Sequence, residues 1–206
     1  MTRRVLFTVA IAGLVLGAGI ANADPLELTV NGGFETGTFD GWSLFPSAPE
    51  QFFIVSPGSE GNYAAYIANN APASAALMKN ANIGIGIVVP GETITISFDA
   101  RGSFAAGGVA FAEFFSEIEG GGTSSSEILG GGPLALNPDQ EVWTTFSFTT
   151  SAGPDVSGGV TIHLTATTGA DQASEALVYY DNVSVTVEGP VPVEETTWGA
   201  IKTIHR

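Results

Sequence analysis

The chain has 206 residues, with 27 Gly, 11 Pro, 13 Phe and no Cys, and it sets 6 Lys and Arg against 21 Asp and Glu for a net charge of −15. That balance excludes a nucleic-acid partner, which needs a cationic face that releases counterions, and it excludes electrostatic docking on anionic lipid. A hydrophobic share of 44% excludes a wholly disordered chain, while Gly at about twice its usual share predicts many tight turns and few long helices.

Residues 1–23 read as a secretory signal peptide. Arg3 and Arg4 form its charged start, an apolar stretch runs from Val5 to Ile20, and Ala21 and Ala23 supply the small residues before the cut. The apolar stretch is short for a membrane span of roughly 20 residues. The expectation is a secreted or cell-surface protein, the periplasm included, with no membrane insertion after cleavage. A chain without Cys takes no disulfide from an oxidising compartment, so another staple or a sizeable core must hold it.

From 24 to 188 the apolar residues recur with period two. Residues 26–30 alternate, and shorter candidate strands follow at 51–55, 63–68, 75–79 and 83–89. Residues 93–101 carry Ile94, Ile96 and Phe98 on one side and Thr95, Ser97, Asp99 and Arg101 on the other. Further strands are expected at 109–115, 142–148, 160–165 and 177–187, rich in β-branched and aromatic residues. The Gly- and Ser-rich stretch 119–133 reads as a loop-like arm with a short strand at 127–129. About ten strands, Gly/Pro/Asn/Ser punctuation and no helical stripe predict an all-β, two-sheet antiparallel sandwich of jelly-roll type. Residues 189–206 read as an extended linker and a short tag. Trp198, Ile201 and Ile204 repeat at three residues beside Lys202 and Arg206, a pattern suited to an export or surface-attachment partner. The predicted organisation is therefore signal peptide 1–23, sandwich 24–188, and linker with tag 189–206.

Four motifs stand in order along the sandwich: Asn31-Gly-Gly-Phe-Glu35 with Gly37 and Gly41-Trp42, Gly61-Asn-Tyr63, Pro90-Gly-Glu92 opening a strand, and Tyr180-Asp-Asn-Val-Ser-Val185. Together they resemble the jelly-roll carbohydrate-binding modules of the xylan- and glucan-binding type, in the galactose-binding-like superfamily. The resemblance implies a structural Ca²⁺ held by Glu35, Asp181 and the backbone carbonyl at Gly37. Carboxylates and carbonyls are the hard oxygens this ion prefers, and a metal link between the chain ends would replace the missing disulfides.

For glycan recognition the candidates are polar residues opposite the apolar phase. Asp99 and Arg101 share one strand, and His163 lies opposite Ile162 and Leu164. Planar charged groups suit sugar hydroxyls, and these residues would form one cleft if their strands belong to one sheet. A solvated sheet face is the alternative. Trp143 is the aromatic expected beside them, whereas Trp42 is expected in the core. Catalysis has thin support: there is no Cys, His is scarce, and Glu113, Glu117 and Glu119 lack a flanking motif. The expectation is a secreted, non-catalytic, calcium-stabilised module that binds a polysaccharide or glycan. The alternative is a structural or adhesive extracellular sandwich that binds no sugar.

Overall fold

Period-two patterning becomes eleven strands in the computed structural model, which describes residues 24–188. The expectations for 1–23 and 189–206 lie outside the described residues. The strands are β1 (Leu26–Glu27), β2 (Ser43–Phe45), β3 (Phe52–Val55), β4 (Ala64–Asn69), β5 (Ala75–Ile83), β6 (Thr93–Ala105), β7 (Val109–Glu117), β8 (Thr123–Ile128), β9 (Thr144–Ser151), β10 (Val160–Thr167) and β11 (Glu175–Val187). They make two antiparallel sheets. The first has the order β3-β4-β11-β6-β9, with β1 added to the end of β11; the second has the order β2-β5-β10-β7-β8. This is the all-β jelly-roll sandwich that the alternation predicts.

The inward phase of each long strand builds the core. Ile94, Ile96, Phe98 and Ala100 of β6 face Val160, Ile162, Leu164 and Ala166 of β10 across a single buried cluster, which also takes in Phe34, Phe114 and Tyr180. Each fully buried large apolar side chain contributes roughly 1.5–3 kcal/mol. Trp42 joins this cluster as expected, and its indole Nε1 donates to the Asn31 carbonyl at 3.1 Å. Buried polar groups tie sheet to sheet. The Tyr180 hydroxyl donates to the Thr165 carbonyl at 2.8 Å, and Asn69 Nδ2 donates to the Ala166 carbonyl at 2.8 Å.

Three segments depart from the sequence expectation. Residues 83–89 are not a strand: β5 runs through Ile83 and the chain then turns at Gly84 and Gly86, both at positive φ (+69° and +73°). Only glycine adopts that backbone freely, so the apolar alternation of Ile85, Ile87 and Val89 is displayed on a loop. Residues 119–133 are not a free arm, because β8 pairs with β7 and buries Leu129 just beyond. At the start, only Leu26 and Glu27 of the expected 26–30 strand pair with β11.

Candidate functional site

The outer face of the first sheet is organised in cross-strand rows. In one row Phe53, Tyr66, Tyr179 and Arg101 are register partners across β3, β4, β11 and β6. Trp143, just before β9, stands beyond Arg101. The Tyr66 and Tyr179 rings stack at 4.3 Å, and the Arg101 guanidinium lies 4.2 Å from the Tyr179 ring centroid and 5.1 Å from that of Trp143. Arg101 Nη1 donates to Glu141 Oε2 at 2.7 Å and to the Gln140 carbonyl at 3.2 Å, while its Nε is buried without a partner. Arg101 is thus clamped between rings and closed over by a loop.

The next row sets Asp181, Asp99 and Thr145 side by side on β11, β6 and β9. Asp99 accepts from the Ser59 hydroxyl at 2.6 Å, from Thr145 Oγ1 at 2.6 Å and from Asn182 Nδ2 at 3.0 Å. Burial pushes its pKa up, but these three hydrogen bonds outweigh burial and hold it below the usual carboxylate value. Serine and threonine rows continue the face: Ser184, Ser97 and Ser147, then Thr186, Thr95 and Thr149. An open groove of about 570 Å³ lies here, with Glu27 and Glu60 on its rim.

Glu35 and Asp181 flank Gly33, which lines this groove. The first glycine of the Asn31-Gly-Gly motif explains why the two chain ends come together. Val183 N donates to the Gly32 carbonyl at 3.0 Å, and a Cβ on Gly32 would stand 1.8 Å from the Val183 carbonyl oxygen. Asp181 is fully buried at a bulge between Asp181 and Ser184. Its Oδ2 accepts from Ser59 N at 2.7 Å, from the Ser59 hydroxyl at 3.2 Å and from Glu60 N at 3.3 Å. Burial raises its pKa, and the hydrogen bonds recover only part of that shift. Glu35 Oε1 accepts from Asn62 N at 2.8 Å and Tyr63 N at 3.0 Å, and these two backbone bonds lower its pKa.

The residues present suit a hard cation. Glu35 Cγ and Asp181 Oδ1 both lie within 4 Å of the point where a Cβ on Gly33 would stand. The carbonyl oxygens of Glu60 and Tyr63 and Asp181 Oδ2 all lie within 2.6 Å of the corresponding point on Gly58. No ion pair reaches Glu35 or Asp181 among the described residues, so only neutral amide and hydroxyl donors offset the two carboxylates. Carbonyls would have to supply the rest of a coordination shell, because no group of three or more His, Asp or Glu side chains converges among the described residues. Gly37 sits against the Tyr63 ring.

The outer face of the second sheet is different. Its central row is Ser43, Lys79, His163, Glu113 and Ile128, across β2, β5, β10, β7 and β8. His163 is only 7% exposed. Its Nδ1 lies 3.1 Å from Glu113 Oε2 without the alignment of a hydrogen bond, and neither ring nitrogen has a hydrogen-bond partner. Burial, with the Lys79 charge beside it, pushes the His163 pKa down to about 4. Lys79 Nζ lies 5.1 Å from the ring centroid of Phe45, which is 47% exposed. Phe45, Lys79, Ile85, Glu117 and Glu119 line a groove of about 580 Å³, closed at one end by the turns after β5 and β7 and before β10.

The four residues expected to share a glycan cleft therefore divide. Asp99, Arg101 and Trp143 lie on the outer face of the first sheet, and His163 lies on the outer face of the second, because β6 and β10 belong to different sheets. Phe45 escaped the sequence reading because it sits on a three-residue strand too short to show alternation. Lys79 was visible as the only other base of the sandwich besides Arg101.

No family model matches the chain, and no curated protein matches it. Solved structures do. The enzymatically active domain of tailspike protein 4 from bacteriophage CBA120 matches with a TM-score of 0.58 and 12% identity over 78% of this chain, which spans only 21% of the tailspike chain. A cyclase, Fisc from Fischerella sp. TAU, in complex with an indole compound, matches with a TM-score of 0.54 and 16% identity, over 81% of this chain and 99% of that one. The CBM22-1 xylan-binding domain of Paenibacillus barcinonensis Xyn10C matches with a TM-score of 0.56 and 12% identity, over 82% of this chain and 97% of that one. The fold of residues 24–188 is thus the jelly roll of carbohydrate-binding modules, as the motifs in the sequence imply.

Proposed function

We propose that this chain is a secreted, non-catalytic carbohydrate-binding module whose glycan site is the groove on the second sheet. The observation that carries the reading is the groove's composition. Phe45 offers a ring for the C–H face of a sugar, Lys79 donates and Glu117 accepts. Apolar walls with a few convergent polar groups are the usual make-up of a small-molecule site. The likeness in fold to a xylan-binding domain supports a glycan as the ligand, and the leader-like residues 1–23 support export. The tag at 189–206 is assigned to an export or surface-attachment partner on the sequence pattern alone.

Ca²⁺ belongs to the same proposal. Glu35 and Asp181 would hold it, with loop carbonyls completing the shell, and the ion would neutralise two carboxylates and link the first and last motifs of the sandwich. If the ion is bound at 100 times its dissociation constant, the fold gains about 2.7 kcal/mol. The test is calorimetric titration of the protein with xylan, β-glucan and galactan oligosaccharides, together with melting curves in calcium and in chelator. Binding that is lost in Phe45→Ala supports the site, and a chelator effect that disappears in Glu35→Ala supports the ion. A protein that binds none of these glycans is better read as a structural or adhesive sandwich.

A further inference from the structure

Two cavities adjoin where the turns after β5 and before β10 meet. The polar groove of the second sheet is one; the other is a hollow of about 390 Å³ lined by Ile85, Val88, Pro90, Pro154 and Val156, with Asp155 as its one charged residue. Ile85 and Ser157 line both. The loop that divides them displays Ile85, Ile87 and Val89 at 59%, 48% and 57% exposure. Three aliphatic side chains held out to solvent within five residues, on a chain with a net charge of −15, mark a contact surface. The turn itself is well tied: Ile87 N and Val88 N both donate to the Gly84 carbonyl at 3.0 Å, and Val89 N donates to Glu92 Oε2 at 2.9 Å. These side chains are therefore presented by a defined backbone.

We infer that the ligand is an amphiphilic glycan, a sugar head carrying an alkyl or acyl chain, with the head in the groove and the chain across Ile85 into the apolar hollow. This rests on the glycan-binding reading of the groove. An unsubstituted polysaccharide would leave the hollow against water, whereas a glycoside with an apolar aglycone fills it by way of Ile85, one of the two residues common to groove and hollow. The acidic groups of the groove, Glu117 and Glu119, disfavour an anionic head, so the head is not an acidic sugar.

The test uses methyl, hexyl and octyl β-glycosides of glucose, xylose and galactose, titrated below their micelle concentrations, with the corresponding free oligosaccharides and octanol as controls. A fully buried methylene is worth roughly fourfold in affinity, so octyl should exceed hexyl by at least about threefold even with partial burial. Pro90→Ser and Pro154→Ser, at positions that line the hollow and not the groove, should flatten this series and leave oligosaccharide binding unchanged; both residues are exposed, so an unchanged melting temperature verifies that the variants fold. Oligosaccharide binding without a chain-length gain, or a gain that survives both variants, overturns the inference and leaves the glycan reading standing. Octanol binding as tightly as the octyl glycosides removes the sugar head and overturns the inference too. Absence of binding by every sugar, free or alkylated, overturns both.

Discussion

The two outer faces of the sandwich carry similar kinds of residue and use them differently. On the first sheet, Asp99 takes three hydrogen bonds, Asp181 takes its donors from Ser59 and Glu60, and Arg101 is held between two rings and paired with Glu141. On the second sheet, His163 has no hydrogen bond, and Lys79 rests over an exposed Phe45 at the edge of a groove. A charged residue on a sheet face is therefore no sign of a ligand site by itself. Nor does a missing partner suffice, since Arg101 Nε on the first face and both His163 nitrogens on the second are unpartnered but buried; what sets the second face apart is an exposed ring with an ammonium beside it at the edge of a groove.

The strongest way to test the first half of that contrast is to remove Asp181. Asp181→Ala would strip partners from Ser59 N and Glu60 N in a partly buried setting. Leaving such donors unmade costs on the order of 3 kcal/mol. For a domain of this size that is a fall of roughly 6–12 °C in melting temperature, while glycan affinity on the other face should hold. A loss of affinity that matches the loss of stability would mean the faces are not independent.

The next largest effect is a pH dependence on the second face. His163 has a pKa of about 4 in the fold, against about 6.5 in an unfolded chain. Between those values the unfolded state binds the extra proton, so stability is full above about pH 6.5 and falls as pH drops towards 4. The loss is on the order of 2–3 kcal/mol. Urea unfolding at pH 7, 5.5 and 4.5 should show it in the wild type, and His163→Gln should flatten the slope across that window. An unchanged slope would show that His163 is already solvated or charged. Asp99 acts in a different window: its lowered pKa adds stability that is lost only as pH falls below the unfolded value of about 3.8.

Much of the fold was legible, and the reasons for the gaps are physical. β6 and β10 are long and alternate in sequence, so their inward phase could be read directly, whereas β11 is legible as a strand but changes phase at its bulge. β2 is three residues long, and β8 is a Ser-rich edge strand with exposed residues along most of its length, so neither shows a period. Residues 83–89 do alternate, but Gly84 and Gly86 turn the chain at positive φ and override the pattern. The site was harder for a related reason. Alternation says that Asp99 and His163 point away from the core, yet which sheet each strand joins is set by pairing across long stretches of sequence. β6 pairs with β9 and β11, β10 with β5 and β7, and nothing local to either strand encodes that choice.

A smaller effect separates binding from stability on the second face. Phe45 is exposed and lies at an edge strand, so Phe45→Ala should leave the melting temperature within about 2 °C. If the ring is the platform for the sugar, affinity should fall roughly tenfold, or about 1.4 kcal/mol. Calorimetric titration and a melting curve on one preparation decide it. Undiminished affinity would remove Phe45 from the site and with it the main reason for placing the glycan there.

The smallest effect on affinity is expected from Arg101, the residue that sequence reading favours for the site. Its stacking on Trp143 and Tyr179 is worth about 0.5–1 kcal/mol for each ring. Its pairing with Glu141 adds little, because that carboxylate stands in solvent at 85% exposure. Arg101→Ala should therefore cost about 1–2 kcal/mol of stability, seen as a fall of a few degrees in melting temperature, and should leave glycan affinity within about twofold. Trp143→Ala should behave alike, since the ring's partners are internal. If either variant loses affinity tenfold while Phe45→Ala does not, the glycan lies along the aromatic row of the first sheet, with Arg101 Nε as the buried donor awaiting it, and the roles assigned to the two faces are reversed.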